Sequence, residues 1–185
     1  LGLFVAIKNF PGKKALVIIL DTLLAIPTVV VGIFVYSLIC RNSIFGGMHL
    51  LFTPAAMIIG QVILALPIMI TFSQSAVSAV DRSALETAIT VGAGSAALIK
   101  TLIKEARYGI MAAVVAVFGR LIGEVGVAMM LGGNIKGYTR TMTTAIALET
   151  SRGEFISGFQ LGCVLLALAL GVNLTFRFLQ AGIDK

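Results

Sequence analysis

Arg120 and Glu124 lie four residues apart in GIMAAVVAVFGRLIGEVGVAMML, a stretch with no other charge. Opposite charges at that spacing share one face of a helix and can pair. Each costs about 2.5–3.5 kcal/mol at a bilayer centre, so the pair needs a structural partner or a polar path. Two readings stand side by side: an ion pair sealing a helix or subunit interface, or the polar lining of a substrate route. Gly119 and Gly123 beside the charges form a small-xxx-small pattern that permits close helix approach. Just downstream, LGGNIKGYTRTMTTAIALETSRGEF gathers Asn134, Thr139, Arg140, Thr141, Thr143, Thr144, Ser151 and Arg152. Amide, hydroxyl and guanidinium donors can replace part of an anion's hydration, and a helix N-terminus near Gly137 or Tyr138 would add a favourable dipole. A merely polar external loop has the same composition. Arg120, Glu124, Asn134, Arg140 and Thr141 are the candidate path or gate residues.

The elements that must position these residues are membrane spans. Of the 185 residues 58% are hydrophobic and 12% charged, with a mean hydropathy of +1.05, against about 45–50% apolar and about 25% charged in soluble domains. Residues 42–80 and 155–176 carry no Asp, Glu, Lys or Arg. Soluble catalytic folds are excluded, and no enzymatic activity is expected of this chain. Cys40 and Cys163 both lie in apolar runs, which gives neither a disulfide framework nor metal-ligand spacing. The net charge of +6 is not arranged as a solvated basic face with interleaved aromatics, so nucleic acid is not an expected partner.

A helix needs about 20 mostly apolar residues to cross the ~30 Å of hydrocarbon. Four stretches qualify, about 15–40, 50–72, 109–131 and 156–180, and residues 1–7 read as the end of an earlier span whose start is missing. The whole chain, 1–185, is read as one transmembrane domain of an all-α integral membrane protein. Lys and Arg concentrate on the cytoplasmic side of a membrane. Lys8, Lys13, Lys14, Arg82, Lys100, Lys104, Arg107, Arg177 and Lys185 fall on one side, and Arg41, Lys136, Arg140 and Arg152 on the other. The first set marks the cytoplasm and places the C-terminus there. A cytoplasmic loop of about 73–108 and an external loop of about 132–155 follow.

The cytoplasmic loop reads as two short helices joined by a turn at Gly92 and Gly94. Leu85, Ala88, Ile89 and Val91 offer an apolar stripe beside Glu86, suited either to a groove on a soluble partner or to the membrane surface. Two nucleotide motifs fail here. Gly92-Ala93-Gly94-Ser95-Ala96-Ala97 has no preceding strand, and Lys100-Thr101 follows Ile99 where a phosphate loop requires glycine.

Glu86-Thr87-Ala88, then Gly92 four residues on, resembles the EAA loop of ATP-binding-cassette importer permeases, with Thr in place of the usual second Ala. The resemblance implies that Glu86, Thr87, Ala88 and Gly92 belong to the coupling helices that sit in a cleft of the ATPase subunit. Lys104-Glu105-Ala106-Arg107 is similar to the ending of that loop in tungstate permeases. The run Gly119-Arg120, Gly123-Glu124-Val125-Gly126, Gly132-Gly133-Asn134-Ile135, Thr139-Arg140-Thr141 and Thr143 to Thr150 resembles the equivalent segment of tungstate permeases. Molybdate and sulfate permeases share the Gly-Glu-x-Gly and Gly-Asn-Ile parts more loosely.

The resemblance extends at lower specificity from Phe10-Pro11-Gly12 through Phe52-Thr53-Pro54-Ala55 and covers most of the chain. It implies a polytopic helical bundle of the type I importer permease class, lacking the N-terminal helix or helices. It also implies a homodimeric pore in a prokaryotic inner membrane, two ATPase subunits that bind ATP and magnesium, and an external substrate-binding protein. No cofactor and no metal are expected in this chain. The expected function is import of an oxyanion by alternating access, with tungstate first and molybdate or sulfate as alternatives. The rival is an ion-gradient-coupled secondary transporter using Asp21 or the Arg120 and Glu124 pair as a relay. A non-transporting scaffold explains the composition but not the midplane charges.

Overall fold

The computed structural model describes residues 2–7, 10–81, 83, 89, 90, 92 and 94–182, without the side chains of 95 and 179–182. Its helices are α1 (Gly2–Ile7), α2 (Lys13–Leu24), α3 (Thr28–Ile39), α4 (Pro54–Ser78), α5 (Ser95–Ile122), α6 (Gly126–Gly132), α7 (Met142–Ser151) and α8 (Phe155–Gly182), with a 3-10 turn at Gly46–Met48. No strand occurs among the described residues. The all-α expectation holds.

Two helices, α4 and α8, are long and apolar enough to cross a membrane, or up to four crossings if α2 with α3 and α5 with α6 each count as one broken span. Ile58, Val62 and Leu66 on α4 and Phe159, Leu166 and Phe178 on α8 are exposed. Apolar faces of this extent belong in lipid rather than water. The start of α4 follows from Thr53-Pro54. Proline at a first helical position lacks only an N–H that would have no partner there, and the Thr53 hydroxyl accepts from the Ala56 N–H at 3.4 Å.

Three element boundaries differ from the sequence-based spans. Residues 15–40 divide between α2 and α3 because Pro27 cannot continue a helix; its carbonyl instead accepts from the Val30 N–H at 2.9 Å and opens α3. The second half of the expected cytoplasmic loop is continuous with the next span, since α5 starts at Ser95 and runs 28 residues, about 42 Å. That span also stops at Ile122, and α6 follows after three residues.

The chain divides into two compact units, residues 1–24 with 67–117 and residues 25–66 with 118–183. In the first, Val77, Leu102 and Ala106 form a small core flanked by Leu3, Ala6, Val80 and Ile110. Here α4 and α5 meet almost at backbone distance: a Cβ on Gly109 would lie 2.6 Å from the Ala76 Cβ and 3.2 Å from its Cα. In the second, Val35, Ile39, Ala56, Leu64, Val127 and Leu131 form a larger core from α3, α4 and α6. Val127, Ala128 and Leu131 are fully buried, so one face of the short α6 is held by packing while Met129 stays exposed. The Phe52 N–H donates to the Leu131 carbonyl at 2.9 Å and ties the chain before α4 to the end of α6.

Candidate functional site

Glu124 lies in the break between α5 and α6. One carboxylate oxygen accepts from Arg120 Nη1 at 3.1 Å, and the other accepts from the Val127 N–H at 3.1 Å. The Glu124 carbonyl accepts from the Thr143 hydroxyl at 2.9 Å. The Glu124 side chain is 2% exposed and that of Arg120 51%. The expected pairing is present, but one continuous helix does not make it. A helix start leaves its first N–H groups unpartnered, and a carboxylate placed there both accepts one and meets the positive end of the helix dipole. Gly119 and Gly123 have nothing within 4 Å of where a Cβ would lie, so the close approach expected of them is not made among the described residues.

The external segment is organised by its own polar groups. Thr141 caps α7: its hydroxyl accepts from the Thr144 N–H at 3.2 Å, and the Thr144 hydroxyl accepts from the Thr141 N–H at 2.9 Å. The helix therefore begins at Met142, whereas Gly137 and Tyr138, where a helix start was expected, form a turn closed by Tyr138 N–H to the Ile135 carbonyl at 3.1 Å. Thr141 offers an acceptor for the free amides of the first turn, and Gly137 has no side chain to do so. Asn134 sits in left-handed backbone at φ 51°. Its Oδ1 accepts from Arg140 Nε at 3.0 Å, its carbonyl accepts from Arg140 Nη2 at 3.3 Å, and its Nδ2 donates to the Thr144 carbonyl at 3.3 Å. Buried Thr139 donates to the Gly132 carbonyl and accepts from the Ile135 N–H at 3.0 Å. Gly133 ends α6 in left-handed backbone at φ 68°, and a Cβ there would lie 2.7 Å from the Phe52 ring.

These bonds sort the five candidate path residues. Asn134 and Arg140 are brought together, facing each other. Glu124 and Thr141 are brought together in an open pocket of about 490 Å³, whose polar lining is completed by Gln61 and Thr143 and whose walls include Phe118, Leu121, Met142 and Leu168. Arg120 reaches this region through Glu124. Gln61 was missed by the sequence reading, although it is the only side-chain amide in the span 50–72 and that isolation was its signal.

Of the coupling residues, Glu86, Thr87 and Ala88 lie outside the described residues. Gly92 is described: it is exposed, its φ is 82°, and its N–H donates to the Ile89 carbonyl at 2.9 Å. A turn thus stands where the glycines indicated one, three residues before α5. Before it, Asp81 accepts from the Ser83 N–H at 3.0 Å and from the Ser83 hydroxyl at 2.7 Å. The backbone N–H, and then the hydroxyl, hold the Asp81 carboxyl below its ordinary value of 3.8. Lys100, Lys104 and Arg107 are exposed on α5, with Arg107 over the Tyr108 ring at 4.6 Å.

Long helices with exposed apolar faces define the class as a helical membrane protein. Residues 1–185 match the family described as binding-protein-dependent transport system inner membrane component, and the chain belongs to that family. It is therefore a multi-pass inner-membrane protein, and its relatives are permease subunits of ATP-binding-cassette transporters. The chain is 42% identical to a probable anion ABC transporter permease protein of Haloferax volcanii, over 94% of this chain and 77% of that one. It is also 42% identical to the tungstate uptake system permease protein TupB of Campylobacter jejuni, over 89% of this chain and 69% of the relative. With TupB of Peptoclostridium acidaminophilum the identity is 37%, over 97% and 79%.

Proposed function

We propose that this chain is the transmembrane subunit of an ATP-driven oxyanion importer, with tungstate as its cargo. The observation that carries the reading is the similarity at 37–42% identity to two tungstate permeases along most of the chain. Family membership supports dependence on a binding protein over coupling to an ion gradient. In this reading two copies form the pore, and an external binding protein delivers the anion. Two ATPase subunits bind ATP and magnesium and close on the segment Glu86, Thr87, Ala88 and Gly92. No cofactor is held by the permease itself. Closure moves that segment and opens the path outward, which is alternating access. The C-terminus lies in the cytoplasm, on the side of the larger Lys and Arg set.

The test is uptake by cells expressing the full permease with its binding protein and ATPase. Tungstate, molybdate and sulfate compete, with and without ATP depletion. ATP-dependent tungstate uptake resistant to excess of the other two is expected. Uptake displaced by molybdate or sulfate reassigns the cargo, and uptake indifferent to ATP overturns the mechanism. Glu86→Arg should abolish co-purification of the ATPase; retention of the ATPase would overturn the placement of the coupling segment.

A further inference from the structure

We propose that the start of α2 carries a site for an anionic phospholipid, with the phosphate at Lys14 and one acyl chain along Val17 and Ile18. The inference goes beyond the transport reading and does not depend on the cargo. Phe10, Gly12, Lys13, Lys14, Val17 and Ile18 line an open groove of about 760 Å³ within the first compact unit. Its walls are mainly apolar, and its charge lies at one end. Phe10 forms part of the wall and stacks on Phe4 at 5.9 Å between ring centroids. Gly12 adds no side chain, and nothing lies within 4 Å of where its Cβ would be, so the charged end stays open.

The two lysines have different roles. Lys13 Nζ donates to the Ala6 carbonyl at 3.3 Å and ties α1 to α2. Lys14 is exposed and has no hydrogen bond or ion pair with any described residue. Asp21, the acid on α2, lies seven residues on, about 10 Å along the helix, and does not line the groove. Ile18 and Ile19 are exposed about one turn from Lys14. Apolar side chains of this size belong in hydrocarbon, and a lysine beside them can reach to headgroup level. One unpaired positive charge at the end of an aliphatic trough matches the build of an anionic phospholipid, a phosphate with no balancing cation followed by a hydrocarbon chain. An acidic peptide would meet the same charge but lay its backbone N–H and C=O groups against aliphatic walls. Free phosphate would leave Val17 and Ile18 uncovered.

Native mass spectrometry of the full-length permease, purified as its complex, tests the site by counting lipid retained after addition of dioleoyl phosphatidylglycerol or dioleoyl phosphatidylcholine. The unsubstituted protein should retain phosphatidylglycerol in preference. Lys14→Gln should cut that retention roughly fivefold, the effect of one lysine at an anionic lipid surface, and leave phosphatidylcholine unchanged. Ile18→Ser should weaken retention of phosphatidylglycerol without changing charge. Lys100→Gln removes an equal charge from the exposed face of α5 and should change nothing. Equal losses in Lys14→Gln and Lys100→Gln would reduce the effect to general charge attraction and overturn the site. So would equal retention of the two lipids by the unsubstituted protein, full retention in Ile18→Ser, or displacement of phosphatidylglycerol by glycerol 3-phosphate, which has the phosphate without the chains. Anion uptake does not enter the measurement, so the transport reading and this inference can fail separately.

Discussion

The segment 120–144 and the segment 78–107 handle polar groups in opposite ways. In the first, Glu124, Thr139, Thr143 and Thr144 are buried, and each bonds a backbone group or a neighbouring side chain. In the second, Asp81, Lys100, Lys104, Glu105 and Arg107 are exposed, and among the described residues Leu102 and Ala106 are buried, against Val77. A buried hydrogen-bonded network fixes one geometry, because any departure leaves desolvated groups unpartnered. A segment with little burial of its own gains stability when a partner covers it. The first pattern fixes one geometry, and the second leaves its charged groups to solvent or to whatever covers them.

Matched leucine truncations test that contrast most severely. Leu131→Ala removes a fully buried side chain from the larger core and should destabilise by about 2–5 kcal/mol. Leu102→Ala, in the smaller core, should cost less in thermal unfolding of the isolated permease. Equal losses would erase the difference between the regions. Thr141→Ala should cost about 1 kcal/mol by loss of the α7 cap, seen as faster hydrogen exchange at the amides of Thr143 and Thr144; unchanged exchange would show that packing alone fixes the helix start.

The smallest effect is at Asp81. Its carboxyl is held below the ordinary value of 3.8, so the stabilisation it gives is present above that pH and lost as pH falls through the depressed folded value. Amide exchange at Ser83 should therefore lose protection only below pH 3.8, and Asp81→Asn should remove that dependence. Acid-sensitive protection persisting in the variant would assign it to another group.

Much of the fold was legible in the residues. Charge-free runs identify α4 and α8, because hydrocarbon excludes unpaired charge whatever the fold. Thr53-Pro54 marks a helix start, and the i, i+4 spacing of Arg120 and Glu124 signals their pairing. The break after Ile122 was not legible: the string GEVGVAMML is apolar enough to continue a helix, and its interruption depends on burial of α6 among Val35, Ala56 and Leu64. The roles of Asn134 and Arg140 were equally hidden. Their donors look available in sequence, and only the left-handed backbone at Asn134 turns them toward each other.

Composition and spacing by themselves determined the solvent of this protein and its helical class. Those properties follow from transfer free energies and local periodicity, which each segment carries with it. Tertiary structure alone decided which donors remain available and which are engaged. Val127 must be buried before Glu124 can cap α6, and Thr143 must come within 2.9 Å of a carbonyl 19 residues away. Such contacts depend on where the chain returns, and no local pattern encodes that.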